Sequence, residues 1–431
     1  MDAERVVWSA RADRWRDLTV LALVLLGAFA IPLLFVRDPS EMFRLPKALF
    51  LRAEAILIVA VTLAAYVAGA PLPRLRWRDP ALLLPLLALG VFTLSTMLST
   101  NRAVSSGALG SAAATAVVYF ATVAAARQRG WLLGVVPILA ALLNAMLVIV
   151  EETRLWMPFG ELPGVRHHLQ CTALIGSPNE IGGYLGGATL ACLAASLAGA
   201  MRGAARAAAV LLGIALIASQ SLTALIAFAA AALAATALSS WRKALAAAVM
   251  TAMVAALVIA AVAPLRRRAV NVTRWARSGE YNELSTERFT AFAAAWSMFR
   301  ARPLTGVGPG VFSWRYYDEK LAAEERYPSL RRAYNRGVNY GEVHNDHLQL
   351  LAEGGLPGYA AFAALMLALG GFSFAVPRDA ADPHRRFVRS LALPLAVFWV
   401  VLSVAQFPLE TTVVRTLLVH LAALCVAWRQ P

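Results

Sequence analysis

Within ten residues, His344-Asn345-Asp346-His347-Leu348-Gln349-Leu350-Leu351-Ala352-Glu353, this chain gathers two imidazoles, two amides and two carboxylates. A turn of composition Gly354-Gly355-Leu356-Pro357-Gly358 closes the run. His344, His347, Leu348 and Leu351 recur at i, i+3, i+4 and i+7, which places them on one face of a helix predicted to run from near Glu342 to Gly354-Gly355. A neutral imidazole near pH 7 can take a proton from a hydroxyl, so either histidine is a candidate general base. An i, i+3 histidine pair could instead share a metal ion, although the spacing matches no zinc pattern and no third ligand is obvious. The third reading is a pair of packed, hydrogen-bonded rings with Asn345 beside them.

Arginines accumulate in the same part of the chain. Arg288 opens a predicted loop helix, and a helix N-terminus favours anions. Arg166, Arg315, Arg331, Arg332 and Arg336 are further candidates for phosphate, because the guanidinium fork meets phosphate oxygens bidentately and stays charged. For each of these the alternative is a solvated or salt-bridged side chain. Gly306-Val307-Gly308-Pro309-Gly310 lacks a following Walker lysine and reads as a structural turn. Glu410 and Arg415, inside the last apolar hairpin, are expected to form a mutual or cross-bundle ion pair. Nothing resembles an ATP site, a Ser-His-Asp triad or an Asp-x-Asp metal motif, so no cofactor and no metal are expected.

The elements that must position these groups are mostly apolar. The 431 residues are 59% hydrophobic and 15% charged, with mean hydropathy +0.62, which excludes a soluble globular protein. Runs of about 20 apolar residues, each able to cross a bilayer as a helix, recur along the chain. Twelve are predicted, at roughly 18–36, 48–69, 81–99, 107–126, 131–150, 178–200, 206–219, 221–238, 244–263, 356–376, 391–408 and 411–428. The fold class is therefore all-α, a polytopic integral membrane protein. The division is 1–263 with spans one to nine, 264–355 as one large outside loop carrying the reactive residues, and 356–431 with spans ten to twelve. With an internal N-terminus, the inside segments hold 18 basic residues and the short outside loops 6. That asymmetry predicts cytoplasmic termini. The first span lacks a cleavage pattern and reads as an anchor.

The large loop holds 14 basic and 10 acidic residues. Solvation, with Arg266-Arg267-Arg268 on lipid head groups, and an anionic substrate both account for this charge. Within the loop, Ser285 or Thr286 is predicted to cap a helix reaching about Arg300, whose Phe289, Phe292, Trp296 and Phe299 would pack on the membrane domain. A second helix is predicted over Phe312 to Arg326. Cys171, Cys192 and Cys425 suggest no disulfide framework, Cys171 standing alone in an outside loop. Three lysines against 37 arginines point to a GC-rich genome.

His344-Asn345, followed after nine residues by Gly355-x-x-Gly358, resembles the His-[Asn/Ser/Gln]-x9-Gly-x-x-[Gly/Tyr/Thr] pattern of bacterial O-antigen ligases and their relatives. Arg288 with Trp296 and Pro303-Leu304-Thr305-Gly306-Val307-Gly308 agrees, as does Ser177-Pro178-Asn179-Glu180-Ile181-Gly182. The resemblance, which spans essentially the whole chain, implies a membrane-embedded glycosyltransferase of the GT-C-like kind. Its donor would be a glycan on undecaprenyl diphosphate and its acceptor lipid A-core, with inversion, without ATP or metal, at the periplasmic face of the inner membrane. His344 takes the place of the family's essential histidine and Arg288 that of its helix arginine. Asn179, Asn345, His347 and Arg315 complete the expected binding set, with membrane lipids as further partners and no nucleic acid. Relatives often carry Ser-Arg between spans seven and eight, where this chain has Ser219-Gln220-Ser221. Arg166 is the substitute second arginine.

An O-antigen polymerase would run the same chemistry onto a lipid-linked acceptor. A protein O-oligosaccharyltransferase shares the loop motif, but such enzymes usually extend beyond the last span, and here three residues follow Trp428. A transporter for the same lipids would spread ionisable residues through its spans, whereas here they concentrate in one loop.

Overall fold

A computed structural model describes residues 2–37, 42–73, 79–161, 164–261, 263–285, 287–327, 330 and 340–429. Among the described residues there are helices and no strands. The first half holds α1 (Asp2–Ala30), α2 (Arg44–Val67), α3 (Pro80–Met97), α4 (Arg102–Arg129), α5 (Leu132–Glu152), the single turn α6 (His167–Gln170), α7 (Pro178–Ala198) and α8 (Arg202–Ala218). Then come α9 (Leu222–Ser239), α10 (Trp241–Ala261), α11 (Ala263–Ser278), the short α12 (Tyr281–Leu284), α13 (Phe289–Ala301) and α14 (Val311–Arg326). The chain ends with α15 (Asp346–Ala375), α16 (Pro383–Leu402) and α17 (Thr412–Trp428).

Each of the twelve apolar stretches falls on one of these helices. Seven of them, α2, α3, α4, α5, α7, α9 and α15, are long and apolar enough to cross a membrane by length and composition. The protein is a multi-pass membrane protein. Its centre is α7, where small residues let neighbours approach closely: a Cβ on Gly186 would stand 2.7 Å from the Phe398 ring of α16. Connections sort to two ends of the bundle, as alternating spans require. At one end Asp79 meets Arg429 and Trp131 stacks on His384 at 4.9 Å. At the other, the starts of α2, α7 and α15 meet the α8–α9 and α16–α17 turns.

The α13–α14 pair packs on this second end, against the start of α15. The α13 capping expectation is corrected. Arg288, with no side-chain cap bond, precedes the helix, Ser285 follows α12, and Thr286 lies outside the described residues. The aromatic stripe is corrected in part, since of its residues half-buried Phe292 does pack on the α13–α14–α15 cluster. The face of α13 that packs is Thr290, Ala291, Ala294, Ala295 and Met298, while Trp296 is 47% exposed. Alanines win that face because they let α13 approach Val311, Phe312 and Tyr316 of α14 and Ala352 of α15. The second loop helix starts one residue earlier than expected.

The third loop helix begins at Asp346 rather than near Glu342. Asn345 is its N-cap, with Oδ1 accepting from the Leu348 N–H at 2.9 Å. On its way to Ala375 the helix breaks at Gly355, whose φ of 62° and ψ of −166° only glycine adopts readily. A Cβ there would also stand 2.7 Å from the Pro303 carbonyl oxygen. The break separates a nine-residue polar helix from the apolar span beyond it.

Candidate functional site

Because Asn345 caps the helix, His344 does not lie on it. It stands one residue outside with φ at +57°, a left-handed conformation unusual for a side-chain-bearing residue. The expected shared helix face of His344 and His347 is therefore absent. His347 lies in the first turn of α15. Its Nε2 donates to the Val400 carbonyl at 3.0 Å, and its ring packs edge-on against Tyr359 and Phe362, 5.8 Å from each.

The bench for His344 is the nine-residue turn between α16 and α17, residues 403–411. Asp346, fully buried, accepts from Ser403 Oγ at 3.1 Å and the Leu409 N–H at 3.0 Å, and its own N–H donates to the Ser403 carbonyl. Asn345 Nδ2 donates to the Val404 carbonyl at 2.9 Å. Arg288 donates from Nη1 to the Ala405 carbonyl at 3.0 Å. Phe407 meets the His344 ring edge-on at 4.6 Å and lies 5.2 Å from the Arg44 guanidinium. Tyr340 closes the other side, 5.7 Å from the His344 ring, with its hydroxyl donating to the Glu287 carbonyl. His344 and Arg288 are thus brought together by a segment far from both in sequence.

The electrostatics follow from that arrangement. Burial, then the Arg288 guanidinium, then that of Arg44, push the His344 imidazole down to about 4. The ring is neutral at pH 7, and its buried Nδ1 has no hydrogen-bond partner among the described residues, which leaves its chemistry to Nε2. Burial also lowers Arg288, with Tyr340 opposing. Arg288 has no carboxylate partner among the described residues. Arg44 differs: Nη2 bonds Glu180 at 2.7 Å and Nη1 bonds Glu342 at 2.6 Å.

Residues 207–363 match the family model described as O-antigen ligase. The match begins in α8, ends in α15, and encloses Arg288, His344, Asn345 and His347. The chain carries an O-antigen ligase domain. The match covers about a third of the chain and supports kinship with the O-antigen ligase/polymerase superfamily, whose members are glycosyltransferase-like enzymes. No curated protein shows a significant match to the chain.

Other parts of the site lie beyond the matched O-antigen ligase stretch. Arg44, Glu180, Phe407 and the whole 403–411 turn were not singled out as site residues from sequence. The available signal was Gln406-Phe407-Pro408, a break in an apolar run, and the charged Arg37–Lys47 segment. Span eleven is accordingly corrected from 391–408 to α16, which ends at Leu402. Asn179, in the first turn of α7, is half-buried and accepts from Ser221 Oγ at 3.1 Å, next to the Glu180 that holds Arg44.

The remaining predicted residues are elsewhere or committed. Arg315 pairs with Glu319 at 2.9 Å along α14. Arg166 precedes α6 and is exposed, with no described contact joining it to His344 or Arg288. Arg331, Arg332 and Arg336 lie outside the described residues. The glycine turn is structural: Glu353 accepts from the Gly310 and Phe312 N–H groups at 2.8 and 3.0 Å and so caps α14. Glu410 and Arg415 form no ion pair among the described residues. Both line a cavity of about 370 Å³ between α3, α4, α15 and α17. Its walls include Leu89, Phe92, Leu369 and Phe372, and Asp346, Gln349 and Glu353 add polar lining.

Proposed function

We propose that the chain is an inverting glycosyltransferase that moves a glycan from undecaprenyl diphosphate onto a sugar hydroxyl of lipid A-core, in lipopolysaccharide assembly. The observation that carries the reading is one pair. Arg288, a guanidinium with no carboxylate partner among the described residues, stands beside a neutral histidine whose Nδ1 is buried and unpartnered. A diphosphate is a good leaving group, so the reaction needs cations for its developing charge and a base for the incoming hydroxyl. The acceptor oxygen attacks the anomeric carbon as its proton passes to His344 Nε2. The carbon–oxygen bond to the diphosphate breaks on the opposite face, and undecaprenyl diphosphate leaves with the electron pair against Arg288.

The same arginines couple binding to basicity. Arg288 and Arg44 contribute to the low His344 value, so an anionic diphosphate beside them offsets that part and makes the imidazole a stronger base once the donor is bound. Burial, the larger cause, stays. Exposed Arg166 is the remaining candidate for the far phosphate, and Asn179 and Asn345 for orienting polar groups of the substrates. The apolar cavity next to Asp346 suits a prenyl chain. The arginine asymmetry supports an inner-membrane protein with cytoplasmic termini and the His344 end in the periplasm.

Incubating the purified protein with lipid-linked glycan, with and without lipid A-core, and separating products on gels tests the reading. Glycan joined to lipid A-core supports the ligase. Longer lipid-linked glycan made without lipid A-core would identify the polymerase, and no transfer under either condition would remove the enzyme.

A further inference from the structure

A second cluster of ligand-type side chains lies at the same end of the bundle, apart from His344. The loop after α5 brings α6 back over the last residue of that helix, Glu152. His167 and Cys171 are four residues apart, so one helical turn aims both side chains at it. Cys171 Sγ lies 3.2 Å from Glu152 Oε2 and 3.8 Å from His167 Nε2. All three ligand atoms lie within 4.8 Å of one another. Ligands around a tetrahedral zinc ion, at metal distances of about 2.0–2.3 Å, stand about 3.3–3.6 Å apart. To surround one ion the three side chains must draw closer, and His167 Nε2 must exchange its 3.3 Å hydrogen bond to the Glu152 carbonyl for the metal, its proton moving to Nδ1.

We infer that Glu152, His167 and Cys171 form a binding site for a zinc-type divalent cation. A thiolate, an imidazole and a carboxylate select a borderline-soft metal, whereas calcium and magnesium take oxygen ligands. The cluster is also supported from outside, as metal sites are. Gln220, in the α8–α9 turn, donates to the other oxygen of Glu152 at 2.7 Å, which leaves Oε2 for the ion. Glu151 accepts from the Ala173 N–H at 2.8 Å and fixes the segment that follows Cys171. Binding replaces the thiol proton by the metal and releases it to water. Two anionic ligands offset the ion's charge and that of nearby Arg154. Three protein ligands leave a fourth position for water. The bound ion would staple α5, the α6 loop and, through Gln220, the α8–α9 turn.

Cobalt titration of the detergent-purified full chain tests this without reference to transfer activity. One equivalent should bind with a thiolate-to-cobalt charge-transfer absorption that zinc displaces. Cys171→Ala and His167→Ala should abolish the absorption, and Gln220→Ala should weaken binding about 10–100-fold. His344→Ala should leave it unchanged. Where Cys171→Ala does not elute as a single species, His167→Ala, at a half-buried position, decides. No charge-transfer absorption in the full chain, or one that survives in His167→Ala, would overturn the site.

Discussion

His344 and His347 are three residues apart, both half-buried among aromatic rings, and differ in backbone and in charged neighbours. The body of α15, from Asp346 to Gly354, is committed to structure. His347 is bonded to Val400 and enclosed by Tyr359 and Phe362, Asp346 ties the turn after α16, and Glu353 caps α14. The entry to that helix is the reverse. His344 sits on left-handed backbone, between arginines that lower its basicity, and its ring makes no hydrogen bond to the described residues comparable to that of His347 with Val400. Strained backbone and unsatisfied polar groups persist only where the surroundings impose them. The helix body is the scaffold, and the residue just outside it is left free to react.

Substitutions can break that contrast. His344→Ala should lower transfer about 10²–10⁴-fold, the contribution of a positioned general base, with donor binding retained because Arg288 is untouched. Rate and donor affinity measured on the same preparation check this. Arg288→Ala should cost about 10²–10³-fold, as loss of one charge-stabilising donor does, and should weaken donor binding. Arg288→Lys should recover little, because an ammonium cannot replace the fork. Asp346→Ala leaves the Ser403 hydroxyl and the Leu409 N–H without their acceptor, costing about 1–3 kcal/mol for each group left buried and unpaired. Its melting temperature should fall, and Asp346→Asn should be milder. The smallest effect is expected for His347→Phe, with transfer near normal and a modest loss of stability. A dead His347→Phe beside an active His344→Ala would exchange the two roles.

Much of this contrast was hidden from the sequence. Spacing placed the reactive run at a membrane boundary and located the apolar helices, because hydropathy over about 20 residues is a strong signal. The same spacing put both histidines on one helix face. It treated 342–354 as uniformly helical, when Asn345 is the better N-cap. The aromatic stripe of α13 drew attention from Ala291, Ala294 and Ala295, whose value lies in what they let approach. The 403–411 turn and Arg44 were invisible as site elements, since their roles depend on partners more than fifty residues away. Cys171 alone carries little meaning, and only folding sets it against His167 and Glu152.

The pH dependence of kcat/KM tests most directly whether His344 is the base. This quantity reports the free enzyme, in which burial, Arg288 and Arg44 hold the imidazole at about 4. A group that must be neutral to act is competent above its own value, so transfer should stay level on acidifying from pH 7. It should fall only as pH drops through about 4, and His344→Ala should lack that fall. The kcat limb should lie higher, because bound diphosphate offsets the arginines. An acid limb in kcat/KM near the ordinary histidine value of roughly 6.5, or one that persists in His344→Ala, would contradict the account.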